Sequence, residues 1–189
     1  MHFYFAMANT YASSTQGVTL IEVLTTLAVL SILISFGLPQ FREIHERWQV
    51  MQTVRSMESS LLLARSEAIK RGGGIGIRKL DNEKNGCQNA ATTSEWGCGW
   101  LVYADADGNG SWNKQKDVLL QEIKLSGSVN VMRSSNGNNL SFNRYGMASL
   151  NAIGFTFLPA RTGVSTHTEQ MLCMSSGGRI RIIKDISCK

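Results

Sequence analysis

The longest apolar run of the chain extends from Val18 to Leu38 and contains a single charge, Glu22. As an α-helix it would measure about 31 Å at ~1.5 Å per residue, close to the hydrocarbon thickness of a bilayer. The run is too long for a secretory signal peptide, and no A-x-A-like cleavage site follows it. The pattern predicts a membrane-spanning helix at 18–39 in which Glu22 has a function, because charges inside such segments are costly.

The helical pattern continues from Gln40 to Arg71. Its apolar residues recur every three or four positions and so share one face of a helix: Phe41, Ile44, Trp48, Met51, Val54, Met57, Leu61, Ala64 and Ala68. Pro39 removes one backbone donor and should bend the helix, and the three glycines 72–74 should end it. We predict an amphipathic helix over 40–72 whose apolar face needs a sheet to cover it.

Short β-like runs separated by Gly, Asn and Ser follow the helix. They are Ile75–Leu80, Gly99–Ala104, Val118–Leu125, Val129–Arg133, Asn139–Asn143, Ala152–Leu158, Glu169–Met174 and Arg179–Ile183. One helix followed only by strands predicts an α+β fold, with the helix packed on an antiparallel β-sheet region at 73–189. The likeliest long loops are 86–97 and 161–168. The formal net charge of +5 permits an anionic partner without requiring one.

The segment Gly17-Val18-Thr19-Leu20-Ile21-Glu22 resembles the class III prepilin signal of type IV pilins and type II secretion pseudopilins. The resemblance implies that residues 1–17 are a leader, that a prepilin peptidase cuts between Gly17 and Val18, and that Val18 is then N-methylated. Pro39 lies where many pilins have a helix-kinking proline. Two features depart from the family: Val18 replaces the usual Phe, and the leader contains no Lys or Arg.

The same resemblance implies a role for Glu22 as an assembly residue. In pilin filaments the apolar helices form a lipid-free core, where a buried carboxylate needs a cationic partner; in this family it is the N-terminal amine of a neighbouring subunit. The implied partners are the prepilin peptidase and other minor and major pilins. The implied location is the bacterial inner membrane before assembly and an extracellular pilus afterwards, with the globular part periplasmic or extracellular.

Four cysteines, Cys87, Cys98, Cys173 and Cys188, allow three pairings outside the cytoplasm. Proximity along the chain favours Cys87–Cys98 and Cys173–Cys188. A zinc site is the competing interpretation, but no C-x-x-C spacing is present and the chain has only three histidines.

The segment Asp105-Ala106-Asp107-Gly108-Asn109-Gly110 superficially matches the start of a calcium-binding loop. The twelfth position, which should be acidic, is Lys116, and the flanks are strand-like, so we predict a β-turn between strands and no metal site. The preceding run Gly99–Tyr103 with this turn, and the run Leu140–Gly146, resemble the GspH/FimT group of minor pilins and pseudopilins.

No catalytic constellation is found in the sequence. The histidines lie apart from cysteines and acids at fixed spacing, and no G-x-S-x-G motif or phosphate-binding loop is present. We therefore predict that the protein is not an enzyme and needs no cofactor.

The C-terminal segment from Gly177 to Lys189 is basic. On a strand, Arg179 and Arg181 share one face roughly 6.5–7 Å apart while Ile180 and Ile182 pack inward, a spacing that suits successive phosphates. Gly178-Arg179-x-Arg181 resembles the GRxR motif of FimT-type minor pilins, which bind extracellular DNA during natural transformation.

The resemblance thus implies that double-stranded DNA binds at Gly178, Arg179 and Arg181, through phosphates and without sequence preference, with glycine letting the backbone approach. Lys184, Lys189, Arg161 and Lys124 are weaker candidates. Base stacking is disfavoured because the tail has no aromatic residue. Two alternatives stay open: a structural minor pilin of a tip or priming complex, and a minor pseudopilin of type II secretion, neither of which binds DNA. Alternating basic and apolar residues are also typical of an edge strand.

Overall fold

The computed structural model describes residues 17–82, 86–150, 152–161, 168–184 and 188, without the side chains of 36–40 and 42. It contains one helix, α1 (Leu20–Arg71), and eight strands in the order that the sequence predicts. The contacts divide the chain into two units, 1–42 and 43–189. Residues 1–16 of the predicted leader, which extends to Gly17, lie outside the described residues.

The first unit contains the beginning of α1. Thr19 caps the helix, since its Oγ1 accepts the amide of Glu22 at 3.3 Å, while its carbonyl accepts the amide of Val23 at 3.2 Å. Within the described residues, no helix is both long and apolar enough to cross a membrane. The membrane span predicted at 18–39 includes side chains outside the description, and it stays a prediction, as does the bend at Pro39.

In the second unit, α1 ends where the glycines predict. The amide of Gly73 donates to the carbonyl of Ala68 at 2.8 Å, and Gly72 has a φ of +80°, a left-handed helix cap. The buried stripe contains Val50, Val54, Met57, Leu61, Ala64 and Ala68.

The predicted apolar face is therefore wrong at its beginning. Phe41, Ile44 and Trp48 are more than half exposed and Met51 is partly exposed, whereas Val50, which the periodicity did not select, is fully buried. In the second unit, the strands cover the helix only from residue 50 onward, so the earlier apolar residues have no sheet beneath them.

The strands form two four-stranded antiparallel sheets instead of the single sheet that was expected. Their bounds are β1 (Ile75–Lys79), β2 (Gly99–Ala104), β3 (Val118–Lys124), β4 (Val129–Arg133), β5 (Asn139–Phe142), β6 (Ala152–Pro159), β7 (Gln170–Ser175) and β8 (Ile180–Ile183). The first sheet has the order β3-β2-β1-β5 and the second has β4-β6-β7-β8.

Both sheets and the buried stripe of α1 share one hydrophobic core. A polar chain crosses it: Trp100 Nε1 donates to Ser60 Oγ at 2.9 Å, and Ser60 Oγ donates to Gln121 Oε1 at 2.7 Å. Buried polar groups need such partners. This chain connects α1 to β2 and β3.

Gly99, at the start of β2, supplies a testable feature of this architecture. Its φ is +107°, and an added Cβ would collide with the Ile123 carbonyl group on β3. We expect Gly99→Ala to lose about 1–2 kcal/mol of unfolding free energy through the left-handed backbone and about 1–3 kcal/mol more through the collision. Chemical denaturation measures the loss.

Gly108 provides the matched control, because it has a φ of +71° but nothing within 4 Å of an added Cβ. Gly108→Ala should lose only the backbone part. Equal losses in the two variants would contradict the proposed close approach of β2 and β3 at Gly99.

Candidate nucleic-acid interface

A tight turn precedes β8 and presents the first of the two predicted arginines. The amide of Gly178 donates to the carbonyl of Ser175 at 2.8 Å, and Gly178 has a φ of +80°, a conformation that favours glycine. The Arg179 amide then donates to Ser175 Oγ at 3.2 Å, and its carbonyl accepts the Ser175 amide at 3.0 Å. These bonds fix the backbone that carries Arg179.

Arg65 of α1 anchors this turn. Its Nη1 donates to the carbonyl of Gly178 at 2.8 Å, and an added Cβ at Gly178 would lie 2.6 Å from Arg65 Cζ. Gly178 is consequently buried. The expectation that Gly178 lets a ligand approach its backbone is therefore wrong: the glycine makes room for Arg65 instead.

Arg181 lies on β8, an edge strand of the second sheet, and Arg179 directly precedes that strand. Arg179 and Arg181 are exposed, while Ile180 and Ile182 are partly buried and pack against the core. The predicted alternation is thus confirmed over 179–182, but it stops there, because Ile183, expected on the face of the arginines, is partly buried and Lys184, expected on the inner face, is exposed. Arg181 lies opposite Cys173 in the ladder with β7 and also has an interaction within the chain.

Both predicted disulfides are present. Cys87 is bonded to Cys98, and Cys173 on β7 is bonded to Cys188 beyond β8. An added Cβ at Gly154 on β6 would lie 2.9 Å from Cys188 Sγ, so the second disulfide packs on the sheet where Gly154 leaves room for it. It ties the chain after β8 back to the strand beside Arg181.

The weaker basic candidates are scattered. Lys184 is exposed directly after β8, at the opposite end of that strand from Arg179, and Arg161 follows β6 at the same end of the sheet as Lys184. Lys124 belongs to β3 of the other sheet, 3.8 Å from Glu122. Lys189 lies outside the described residues.

Other basic side chains have structural roles and are buried. Lys79 Nζ donates to the carbonyls of Ala90 and Thr92 at 2.6 and 2.8 Å, and burial lowers the pKa of Lys79 below its usual range. Burial likewise lowers the pKa of Arg133, whose Nη1 donates to the carbonyl of Gly137 at 2.8 Å. These charges are not available to a ligand.

The structure places a second turn beside Arg65, which the sequence did not indicate. An added Cβ at Gly146 would lie 2.7 Å from Arg65 Cγ. Arg65 therefore touches both the Gly146 turn and the Gly178 turn. Arg144 and Tyr145 in the Gly146 turn are exposed.

The acidic segment belongs to a loop over 105–117 that joins β2 to β3 and is longer than the predicted β-turn. Asp105 Oδ2 accepts the Gly110 amide at 2.7 Å, and Asp117 Oδ2 accepts the Asn113 amide at 2.6 Å. Sequence spacing had excluded Asp117 from a calcium loop, yet its carboxylate lies within 4.8 Å of those of Asp105 and Asp107. Backbone amides occupy these oxygens, and the cluster alone does not identify a metal site.

The predicted processing and assembly residues lie at the beginning of the described chain. Gly17 and Val18 are exposed ahead of α1. Glu22 is exposed in the first turn of α1, where a negative charge interacts favourably with the positive end of the helix dipole. The amine partner predicted for Glu22 belongs to another subunit, so that role stays a prediction.

Comparison with known proteins identifies the family. The family model "Type II transport protein GspH" matches residues 53–179, about two thirds of the chain. The chain belongs to the GspH family. The matched segment includes most of the buried stripe of α1, the first seven strands and the turn that carries Arg179, whereas Arg181 lies beyond it.

Two solved structures of one minor pilin show the same fold as this GspH-family chain. Type IV minor pilin FimU of Pseudomonas aeruginosa matches with a TM-score of 0.54 at 20% identity, and the match covers 73% of this chain and 90% of FimU. A second crystal form of FimU matches with a TM-score of 0.52 at 20% identity and covers 70% of this chain and 91% of FimU. The minor pseudopilin EpsH of the Vibrio cholerae type 2 secretion system matches with a TM-score of 0.48 at 15% identity, covering 71% and 95%.

No curated protein matches the sequence. The family assignment and the fold confirm the predicted α+β, pilin-like architecture and the resemblance to GspH-like minor pilins. They do not distinguish FimT-type members from FimU-type members.

Arg65 offers a direct test of how this GspH-family chain holds its C-terminal turn. Arg65→Met keeps the aliphatic stem and removes the bond to Gly178, so we expect the unfolding free energy to fall by about 1–2 kcal/mol. Arg55→Met is the control, because Arg55 forms an exposed pair with Glu58 at 2.8 Å; such pairs contribute about 0–1 kcal/mol. If Arg65→Met and Arg55→Met lose the same unfolding free energy, Arg65 does not anchor the turn.

The disulfide Cys173–Cys188 should restrain β8 locally. Replacing both cysteines by serine should cost about 3 kcal/mol, as for a loop of about 15 residues, and should speed amide hydrogen exchange in β8. The variant Cys87→Ser with Cys98→Ser should lower stability without a selective effect on β8. Unchanged β8 exchange relative to that control would contradict the restraint.

Proposed function

We propose that this GspH-family protein is a minor type IV pilin that binds extracellular DNA through Arg179 and Arg181, for uptake in natural transformation. The observation that carries the proposal is the exposure of both guanidinium groups at the beginning of β8, on a backbone held by Arg65 and by the Cys173–Cys188 disulfide. The role is non-enzymatic.

A fixed backbone favours binding, because less conformational freedom is lost when the ligand arrives. Arginine suits phosphate, since its planar guanidinium group can donate two parallel hydrogen bonds. Contacts of this kind carry no base-specific information, so the proposed binding is independent of sequence and sensitive to salt. Lys184, and Lys189 outside the described residues, extend the proposed surface along the tail.

The pilin part of the proposal also includes processing and assembly. Prepilin peptidase would cut between Gly17 and Val18, and Glu22 would pair with the N-terminal amine of a neighbouring pilin. The protein would reside in the inner membrane before assembly and in the pilus afterwards. The exposed side chains of Glu22 and its neighbours on α1 suit packing against other subunits.

The test titrates the full chain in neutral detergent with short duplex DNA at several salt concentrations. Arg179→Ala with Arg181→Ala should weaken binding at least tenfold. The slope of the logarithm of the binding constant against the logarithm of the salt concentration should become shallower by about 2, because each lost phosphate contact contributes roughly 0.9. Circular dichroism and thermal unfolding show whether the variant remains folded.

The chain contains a matched control pair. Lys114 and Lys116 are exposed and two positions apart, as the arginines are, but they lie in the acidic loop. Lys114→Ala with Lys116→Ala removes the same charge and should leave binding within about twofold. Equal weakening by both double variants, or no binding by the parent at low salt, would overturn the DNA-binding proposal.

The second candidate function is a structural minor pilin or pseudopilin without DNA binding. The position of β8 favours it, because charges on an outermost strand block unwanted strand pairing. This function predicts that the protein does not bind DNA. Deleting the gene should abolish pilus assembly or secretion, whereas Arg179→Ala with Arg181→Ala should leave assembly and secretion intact.

A further inference from the structure

The turn at 143–147 is closed by hydrogen bonds and shares a neighbour, Arg65, with the proposed DNA-binding tail. Asn143 Oδ1 accepts the amides of Tyr145 and Met147 at 3.0 and 3.1 Å, and the Asn143 carbonyl accepts the Gly146 amide at 2.9 Å. Gly146 has a φ of +69°. The turn therefore holds Arg144 and Tyr145 on a backbone as constrained as that of Arg179.

The turn follows the last two turns of α1. The Gly146 position lies against Arg65 and Ile69, and an added Cβ at Gly73 would lie 3.3 Å from the Arg144 amide nitrogen. Arg65 also holds Gly178. Both turns therefore contact Arg65, and the Gly146 turn extends from there past Ile69 to Gly73, just beyond the end of the helix at Arg71.

Tyr145 lies in the same turn. It is 68% exposed, more than any other large hydrophobic residue described from position 43 onward. The sequence argument against base stacking was that the tail contains no aromatic residue, but in the fold Tyr145 belongs to a turn that contacts Arg65, the side chain that is also bonded to Gly178 at the beginning of the tail. An exposed aromatic ring flanked by cations is typical of surfaces that bind single-stranded nucleic acid.

We propose that Arg144 and Tyr145 form a second part of the nucleic-acid surface, which accommodates single-stranded DNA as well as duplex. Tyr145 stacks on an unpaired base, and Arg144 and Arg179 contact phosphates on either side of it. Arg65 sets the spacing of the two turns. This inference rests on the proposed DNA-binding function and extends it to DNA with unpaired bases.

The test measures the affinity of the full chain in neutral detergent for a short thymidine oligonucleotide and for a duplex of equal length. Tyr145→Ala should weaken single-strand binding about tenfold, as expected for one lost base stack, and duplex binding by less than twofold. Tyr145→Phe should bind both ligands like the parent, because stacking does not need the hydroxyl group. Arg144→Gln should reduce the single-strand salt slope by about 0.7.

Two controls separate local from general effects. Trp48→Ala removes another exposed aromatic residue, on α1 and away from the two turns along the chain, and Lys114→Gln removes one exposed charge from the acidic loop. Both should leave single-strand and duplex binding unchanged. Thermal unfolding confirms that each variant is folded.

The outcomes distinguish this inference from the proposed function. If Arg179→Ala with Arg181→Ala abolishes duplex binding but Tyr145→Ala leaves single-strand binding unchanged, the second part of the surface is overturned and the tail proposal stands. If Tyr145→Phe weakens binding as much as Tyr145→Ala, base stacking is overturned. If the parent binds neither ligand at low salt, both proposals fail.

Discussion

Burial of one face of α1 is the constraint on which the rest of the structure depends. The stripe from Val50 to Ala68 is almost fully removed from solvent, and residues of both sheets belong to the same core. Apolar burial of this kind is the main favourable contribution to folding. The stripe ends at Ala68, close to the glycines that follow Arg71, and the two turns that contact Arg65 lie along these last turns of the helix, where the candidate interface lies.

Arg65 links this packing to the candidate function. It lies on the flank of the buried stripe, one position after the buried Ala64, and reaches both the Gly146 turn and the Gly178 turn. The two turns come from different sheets, since one follows β5 and the other precedes β8. A single helical side chain thus contacts two loops whose exposed residues include Arg144, Tyr145 and Arg179. Loops held by a rigid scaffold in this way are common places for binding residues.

Most of the secondary structure could be predicted from the sequence because the signals are local. Each of the eight strands has Gly, Asn or Ser within two residues of at least one end, and alternation within β8 correctly separates Arg181 from Ile180 and Ile182. The division into two sheets could not be predicted, because β5 pairs with β1, more than 60 residues earlier, without a local pattern to indicate it. The exposure of Phe41 to Trp48 was missed for a related reason: periodicity identifies a face but not how much of it a sheet covers.

The candidate site likewise combines residues that local sequence predicts with residues that only the fold brings together. Arg179 and Arg181 were found because they lie two positions apart in a recognisable motif, whereas Arg65 is bonded to Gly178 across 113 positions of sequence. This contact changes the meaning of the motif's glycine. Because Gly178 has no side chain, there is space for the guanidinium group of Arg65 from the helix, and that space is not left for a ligand. Its φ of +80° closes the turn. The fold therefore needs a glycine at this position even where no ligand approaches it. Within the motif, only the arginines can then indicate a binding function.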